Sequence, residues 1–256
     1  MTDRRRARNY STAAPTAPPQ TVNDGWMSDG RILGVDACRA GWIGVVLSDD
    51  DPSFHFAPEI SLLVDVAAMG GSLEAVAIDI PIGLPDTSRR RADGLARKAS
   101  GPRWASVFIT PVRAALQAED YDSASSANRQ LAGEGISRQA FALRTKILQV
   151  DRWVHQTDHR VVEVHPEVSF AQLAGQVLHL GKSTWAGAAL RRRLLASAGI
   201  ALPDDLGPAG DRAGIDDVLD AAAAAWTARR LANGQAWQMP DPPETFSDGL
   251  ACAIWT

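Results

Sequence analysis

Five carboxylates stand where side chains of that type do chemistry rather than packing. Asp36 closes the apolar run ILGV, and Asp79 interrupts AVAIDI just before Pro81, Gly83 and Pro85. Glu163 lies inside VVEVHPEV. Asp217 and Asp220 fall three apart in DDVLDAAAAAW, which places them on one face of a helix. Gathering carboxylates at depth is costly, because like charges repel and lose hydration. A hard divalent cation, Mg²⁺ or Mn²⁺, removes that cost. Two such ions activate water and stabilise the leaving oxygen when a phosphodiester is cleaved. The chemistry implied is divalent-metal-dependent phosphodiester hydrolysis, a nuclease reaction. Asp36, Asp79, Glu163 and Asp220 are its candidate metal ligands, and Asp217 completes the candidate catalytic set.

Plainer readings stand beside these. Asp36 before a glycine-bearing turn suits a turn-forming aspartate, and Asp216 or Asp217 suits a helix cap. Glu163 has a rival in Glu167. His165, between those glutamates, serves equally as a metal ligand, an acid–base group, a substrate contact or a structural histidine. No His-x-x-x-His or cysteine pair accompanies it, so a zinc site is not expected. Arginines and a lysine follow the Asp79 segment closely, from Arg89 to Arg103. Arg103 beside Trp104 is a candidate phosphate and stacking contact, and the alternative is a solvated helix face. Lys182 is a candidate for holding a phosphate or carboxylate. Walker, GxGxxG and GxSxG motifs are missing.

These residues need elements to hold them. RILGVDACRAGWIGVVL reads as two strands joined by a tight turn, an antiparallel hairpin. Phe54 to Ala57 suits a third, edge strand. Ser61 to Met69 has helical spacing, with Leu62, Leu63, Val66 and Ala67 on one side. AVAIDI follows as a buried parallel strand, ending where α/β proteins place their chemistry. Residues 89 to 100 read as a basic helix, VFITPVRAAL as an apolar segment entering a helix, and 121 to 154 as helical pieces. VVEVHPEV is a strand, ended by Pro166. AGAALRRRLLASAG is an amphipathic helix with a basic face. DDVLDAAAAAWTARRLANG is the strongest helix, acidic at its start and basic at its end as the helix dipole favours. ACAIW closes the chain as a short strand or edge. The expected fold is α/β, a mixed sheet flanked by helices, formed by residues 30 to 256 as one domain with a helical insertion over about 86 to 158. The tail over 1 to 29, rich in Pro, Thr and Ala, is expected to be disordered.

The chain has 256 residues and a formal net charge of -4. A protein that coats a phosphate backbone is usually basic, so any nucleic acid, DNA or RNA, must meet a local basic patch. A small phosphorylated or nucleotide ligand, handled by a hydrolase or transferase, is the alternative, and a non-catalytic binding module is a third. Cys38 and Cys252 have no metal-ligand spacing and form no disulfide framework. No stretch is long and apolar enough for a membrane span, and no secretory signal opens the chain. A cytoplasmic protein is expected.

GVDACRAGW, AIDIPIGLP, SVFITPVR, EVHPEVSF and DDVLDAAAAAWTA, in that order, resemble the bacterial and archaeal family called domain of unknown function 429. The similarity runs from Ile32 to Trp255. The resemblance implies a predicted nuclease of ribonuclease H-like fold. It makes Asp36 the counterpart of the first-strand aspartate, and Asp79 or Glu163 the next metal ligand. Asp217 and Asp220 resemble the final-helix pair, with Asp220 the closer. Gln149 stands where the family more often has glutamate, so it is left out of the catalytic set. Sugar-kinase and actin-like ATPases share that superfamily fold, but this chain has room for only one such domain.

Overall fold

The computed structural model describes residues 30–49 and 51–256. The expected tail over 1–29 lies outside the described residues. The chain begins with a hairpin, β1 (Arg31–Cys38) and β2 (Gly41–Leu47), and an edge strand β3 (Ser53–Ala57). Helix α1 (Ile60–Ala68) leads into β4 (Leu73–Ile78). The connection from β4 to β5 (Val161–Val164) holds helices and no strand: α2 (Arg91–Ala99), a 3-10 helix (Gly101–Ser106), α3 (Arg113–Leu116), α4 (Tyr121–Ala132) and α5 (Arg138–Val154). Helices α6 (Pro166–Ala174), α7 (Trp185–Ser197) and α8 (Ile215–Ala232) follow, and β6 (Gln238–Thr245) and β7 (Ala251–Trp255) end the chain.

The seven strands form one mixed sheet in the order β3-β2-β1-β4-β5-β7-β6. β2 is antiparallel to β1 and β3, whereas β4, β5 and β7 run parallel along the other side. Alternation of side chains across a strand decides which residues meet. On β1, Ile32 joins the core beneath α8, while Leu33 and Val35 join the core on the α1 and α5 side. Gly34 shares the α8 face, and a methyl group there would lie 2.0 Å from the Ala225 nitrogen. Only glycine allows so close an approach, and the alanine run of α8 supplies the matching flat surface. Helix α8 is therefore laid directly across β1.

Several expectations change in the fold. α1 buries Ile60, Leu63, Val64 and Ala67, but Leu62 and Val66 face solvent, so its apolar stripe is rotated from the one expected. VFITPVRAAL yields only the four-residue α3. The 3-10 helices over Gly101–Ser106 and Gly207–Arg212, α6 and β6 carry no signal in the sequence pattern. α6 starts at Pro166, which suits a first helical position. β6 holds Pro240, Pro242 and Pro243, and such a strand survives only at a sheet edge. β7 is consequently interior, between β5 and β6. Cys38 and Cys252 are both buried and free. No helix among the described residues is long and apolar enough to cross a membrane.

Candidate metal centre

Asp36, Asp79 and Asp220 converge at the carboxyl ends of the central strands. One oxygen from each lies within 4.8 Å of the others. Three local features bring them together. Asp36 lies two residues beyond Gly34 on β1 and so points to the same α8 face. The register pairs Gly34 with Ala77 and Val35 with Ile78, and the Asp79 N–H donates to the Val35 carbonyl at 3.0 Å. Asp79 thus follows directly on β4 beside Asp36, on the face of Ala75 and Ala77. Asp220 precedes Ala221, whose carbonyl is the other α8 atom against Gly34. The glycine contact that seats α8 also delivers Asp220.

The three carboxylates share little compensation. Asp36 Oδ1 accepts the Ala37 N–H at 2.7 Å. Lys182 Nζ pairs with Asp220 Oδ2, while Asp220 Oδ1 is buried without a hydrogen-bond partner. Burial, then repulsion from Asp79 and Asp220, holds Asp36 well above the ordinary carboxylate range. Burial lifts Asp79 to about 7 against the pull of Lys182, and lifts Asp220 to about 7 in the same way. Burial alone would lower the Lys182 ammonium, but Asp220, Asp36 and Asp79 outweigh it and raise its pKa. An all-oxygen donor set, mutually repelling and with an orphaned buried oxygen, is the chemistry a hard divalent cation satisfies. The cluster can coordinate such an ion.

Around the cluster is a cavity of about 400 Å³, lined also by Ser106, Phe108, Leu143, His165, Lys182 and Asp217. That volume is in the range of small-ligand pockets. His165 Nδ1 is buried with no partner, and burial lowers its pKa, keeping the ring neutral at pH 7. Asp217 borders the cavity, but its Oδ2 accepts the Gly214 N–H at 2.9 Å and caps α8.

Glu163 is not in the cluster. The β4–β5 register pairs it with Ile78, on the opposite face of the sheet from Asp79. Its carboxylate meets the fully buried Arg90 at 2.6 and 2.9 Å and accepts the Ile82 N–H at 2.7 Å. Arg90 also holds Asp93, so this guanidinium is internal rather than a free phosphate contact. Its spacing to Asp93 is the one sequence signal for that role. Glu167 lines the cavity but is paired with the fully buried Arg191 at 2.7 and 2.9 Å. Arg191 lies one turn from both Gly187 and Leu195, buried residues of α7, a spacing that marks it as inward-facing. Arg103 is 3.8 Å from Glu167 and outside the cavity lining. Gln149 accepts the Trp42 indole N–H at 2.5 Å and the Ile60 N–H at 3.1 Å, tying α5 to the hairpin. Asp151 is bound by Arg113.

No curated protein and no solved structure matches the chain. Residues 34–245, a span that holds the whole aspartate cluster, match the family model described as protein of unknown function (DUF429), and the chain belongs to that family.

Proposed function

We propose that this protein is a divalent-metal-dependent phosphodiester hydrolase, a nuclease acting on DNA or RNA. The observation that carries the reading is the convergence of Asp36, Asp79 and Asp220 within 4.8 Å at the floor of a cavity. Carboxylates with so few partners are a poor stability device and a good cation site. Mg²⁺ or Mn²⁺ bound there would supply an activated water and charge neutralisation at the phosphate.

The chain's own groups fit complementary parts. Asp36, Asp79 and Asp220 would hold the ion, with Asp217 at the rim of the set. Lys182, freed from Asp220 when an ion takes that oxygen, would donate to a phosphate oxygen. His165, neutral and unpartnered on Nδ1, would accept or donate a proton at the attacking or leaving oxygen. A sheet in which β2 runs antiparallel to both β1 and β3, and β4 and β5 run parallel to β1, supports a ribonuclease H-like fold with α2 to α5 as a helical insertion. A cytoplasmic setting fits buried free thiols.

The cavity volume favours a second reading with the same metal chemistry: hydrolysis or transfer on a small phosphorylated or nucleotide ligand. Both readings are tested by titrating Mn²⁺ calorimetrically into wild type and Asp36→Asn. Binding by wild type and at least a tenfold loss in the variant, about 1.4 kcal/mol, is expected. Equal binding, or none, removes both readings. Cleavage of labelled oligonucleotides against release of phosphate from mononucleotides then separates them.

A further inference from the structure

Although the chain carries a net charge of -4, two segments contain no acidic residue at all: 94 to 118 and 168 to 203, each with four Lys or Arg. They meet in space. A methyl group at Gly101 would touch Val177 at 3.0 Å, and one at Gly181 would lie 3.5 Å from the Arg103 guanidinium. Both segments also wall the cavity, one through Ser106 and Val107, the other through Lys182.

Two large aromatic side chains stand unburied at this seam. Trp104 is 55% exposed and Trp185 is 90% exposed. Each is tied to the junction by neighbours. Trp104 follows Arg103 directly, and the Arg97 guanidinium lies 5.6 Å from its ring. The Arg97 Nε donates to the Val107 carbonyl at 2.7 Å, which fixes that cation beside the cavity wall. Trp185 follows Thr184, whose hydroxyl donates to the Gly181 carbonyl at 2.8 Å. Both rings leave much of their apolar surface in water, and bases stack on such rings whatever their sequence.

We propose that this seam is a docking track for a single-stranded polynucleotide, with Trp104 and Trp185 as stacking platforms and Arg97 and Arg103 as backbone contacts, leading to the aspartate cluster. A polyanion complements segments that carry cations and no acid of their own, and the carboxylate beside Arg103, that of Glu167, is buried and already paired with Arg191. A duplex hides its base faces and could not use the tryptophans, and an apolar peptide would leave the arginines unmatched. The inference names the substrate class for the metal centre and rests on that reading of the site.

Binding is measured with the full chain in EDTA, by fluorescence anisotropy of labelled oligo-dT and oligo-U of about 15 nucleotides and of a hairpin duplex. Metal-free conditions keep the track separate from the cleavage chemistry. Wild type should hold a single strand more tightly than the duplex, and comparison of the two strands shows which sugar is preferred. Trp104→Ala and Trp185→Ala should each weaken strand binding about 5- to 100-fold. Arg103→Gln should lower the slope of log K against log salt by about 0.7. Equal or tighter duplex binding, no strand binding, or tryptophan variants that bind like wild type would each overturn the track. A parallel assay follows Mn²⁺-dependent hydrolysis of bis(4-nitrophenyl) phosphate, a diester too small to need the track. Turnover without strand binding fails the track alone; strand binding without turnover fails the hydrolase reading alone.

Discussion

Proton release should govern metal binding at this site. Asp79 and Asp220 each titrate at about 7 in the metal-free protein, far above an ordinary aspartate, and an ion must find both ionised. A group of that pKa is ionised about nine times in ten at pH 8 and about one time in ten at pH 6. Each therefore weakens binding by about tenfold over this window, and together by about 100-fold, or about 2.7 kcal/mol. Asp36, held well above the ordinary carboxylate range by burial and its neighbours, steepens the dependence. Lys182, with its raised pKa, stays protonated throughout and adds no slope. The assay is calorimetric titration of Mn²⁺ at pH 6, 7 and 8 in two buffers of different ionisation enthalpy, which also counts protons released per ion. At pH 6 that count should reach about two from Asp79 and Asp220, with any further proton coming from Asp36. An affinity constant to within about threefold across the window, with no proton release, would show that the carboxylates are ordinary and that the electrostatic account of the cluster is wrong.

Stability of the metal-free protein should move the other way. Both carboxyls have folded pKa values raised above their unfolded value of about 4, so their contribution is present below about pH 4 and is lost as pH rises through about 7. Asp79→Asn should therefore raise the metal-free melting temperature at pH 8 by a few degrees, for about 1–3 kcal/mol, and by about a third as much at pH 5; thermal melts with and without Mn²⁺ decide this. Glu163→Gln should lower thermal stability, by about 1–3 kcal/mol, because it weakens a buried pair with Arg90. Its Mn²⁺ affinity should match wild type, and a loss like that of Asp36→Asn would place Glu163 back among the ligands. Gly34→Ala should cost about 3 kcal/mol or more, or prevent folding, since the added carbon meets Ala225 and Ala221 backbone atoms at 2.0 and 2.2 Å. Denaturant unfolding measures it, and a cost below about 0.5 kcal/mol would show that α8 is not held to β1 by this contact.

The local pattern of the sequence determined much of the scaffold. Two apolar runs, ILGV and WIGVVL, split by a short turn, can only pair as a hairpin, and β1 and β2 do so. A long alanine-rich segment with acids first and arginines last determined α8. Asp36, Asp79 and Asp220 were legible because each interrupts apolar sequence that packing alone would leave unbroken. Tertiary structure decided what local pattern does not encode. Which face of the sheet Glu163 occupies depends on the register between β4 and β5, and one residue of register reverses it. β6 was hidden because its prolines exclude a strand everywhere except the edge that the topology gave it. Arg90 and Arg191 read as solvated charges until Glu163 and Glu167, distant in sequence, arrived as their buried partners. The meeting of two acid-free segments at Gly101–Val177 and Arg103–Gly181 was likewise set by helix packing, since residues about eighty apart in sequence share a surface only once the chain has closed around its core.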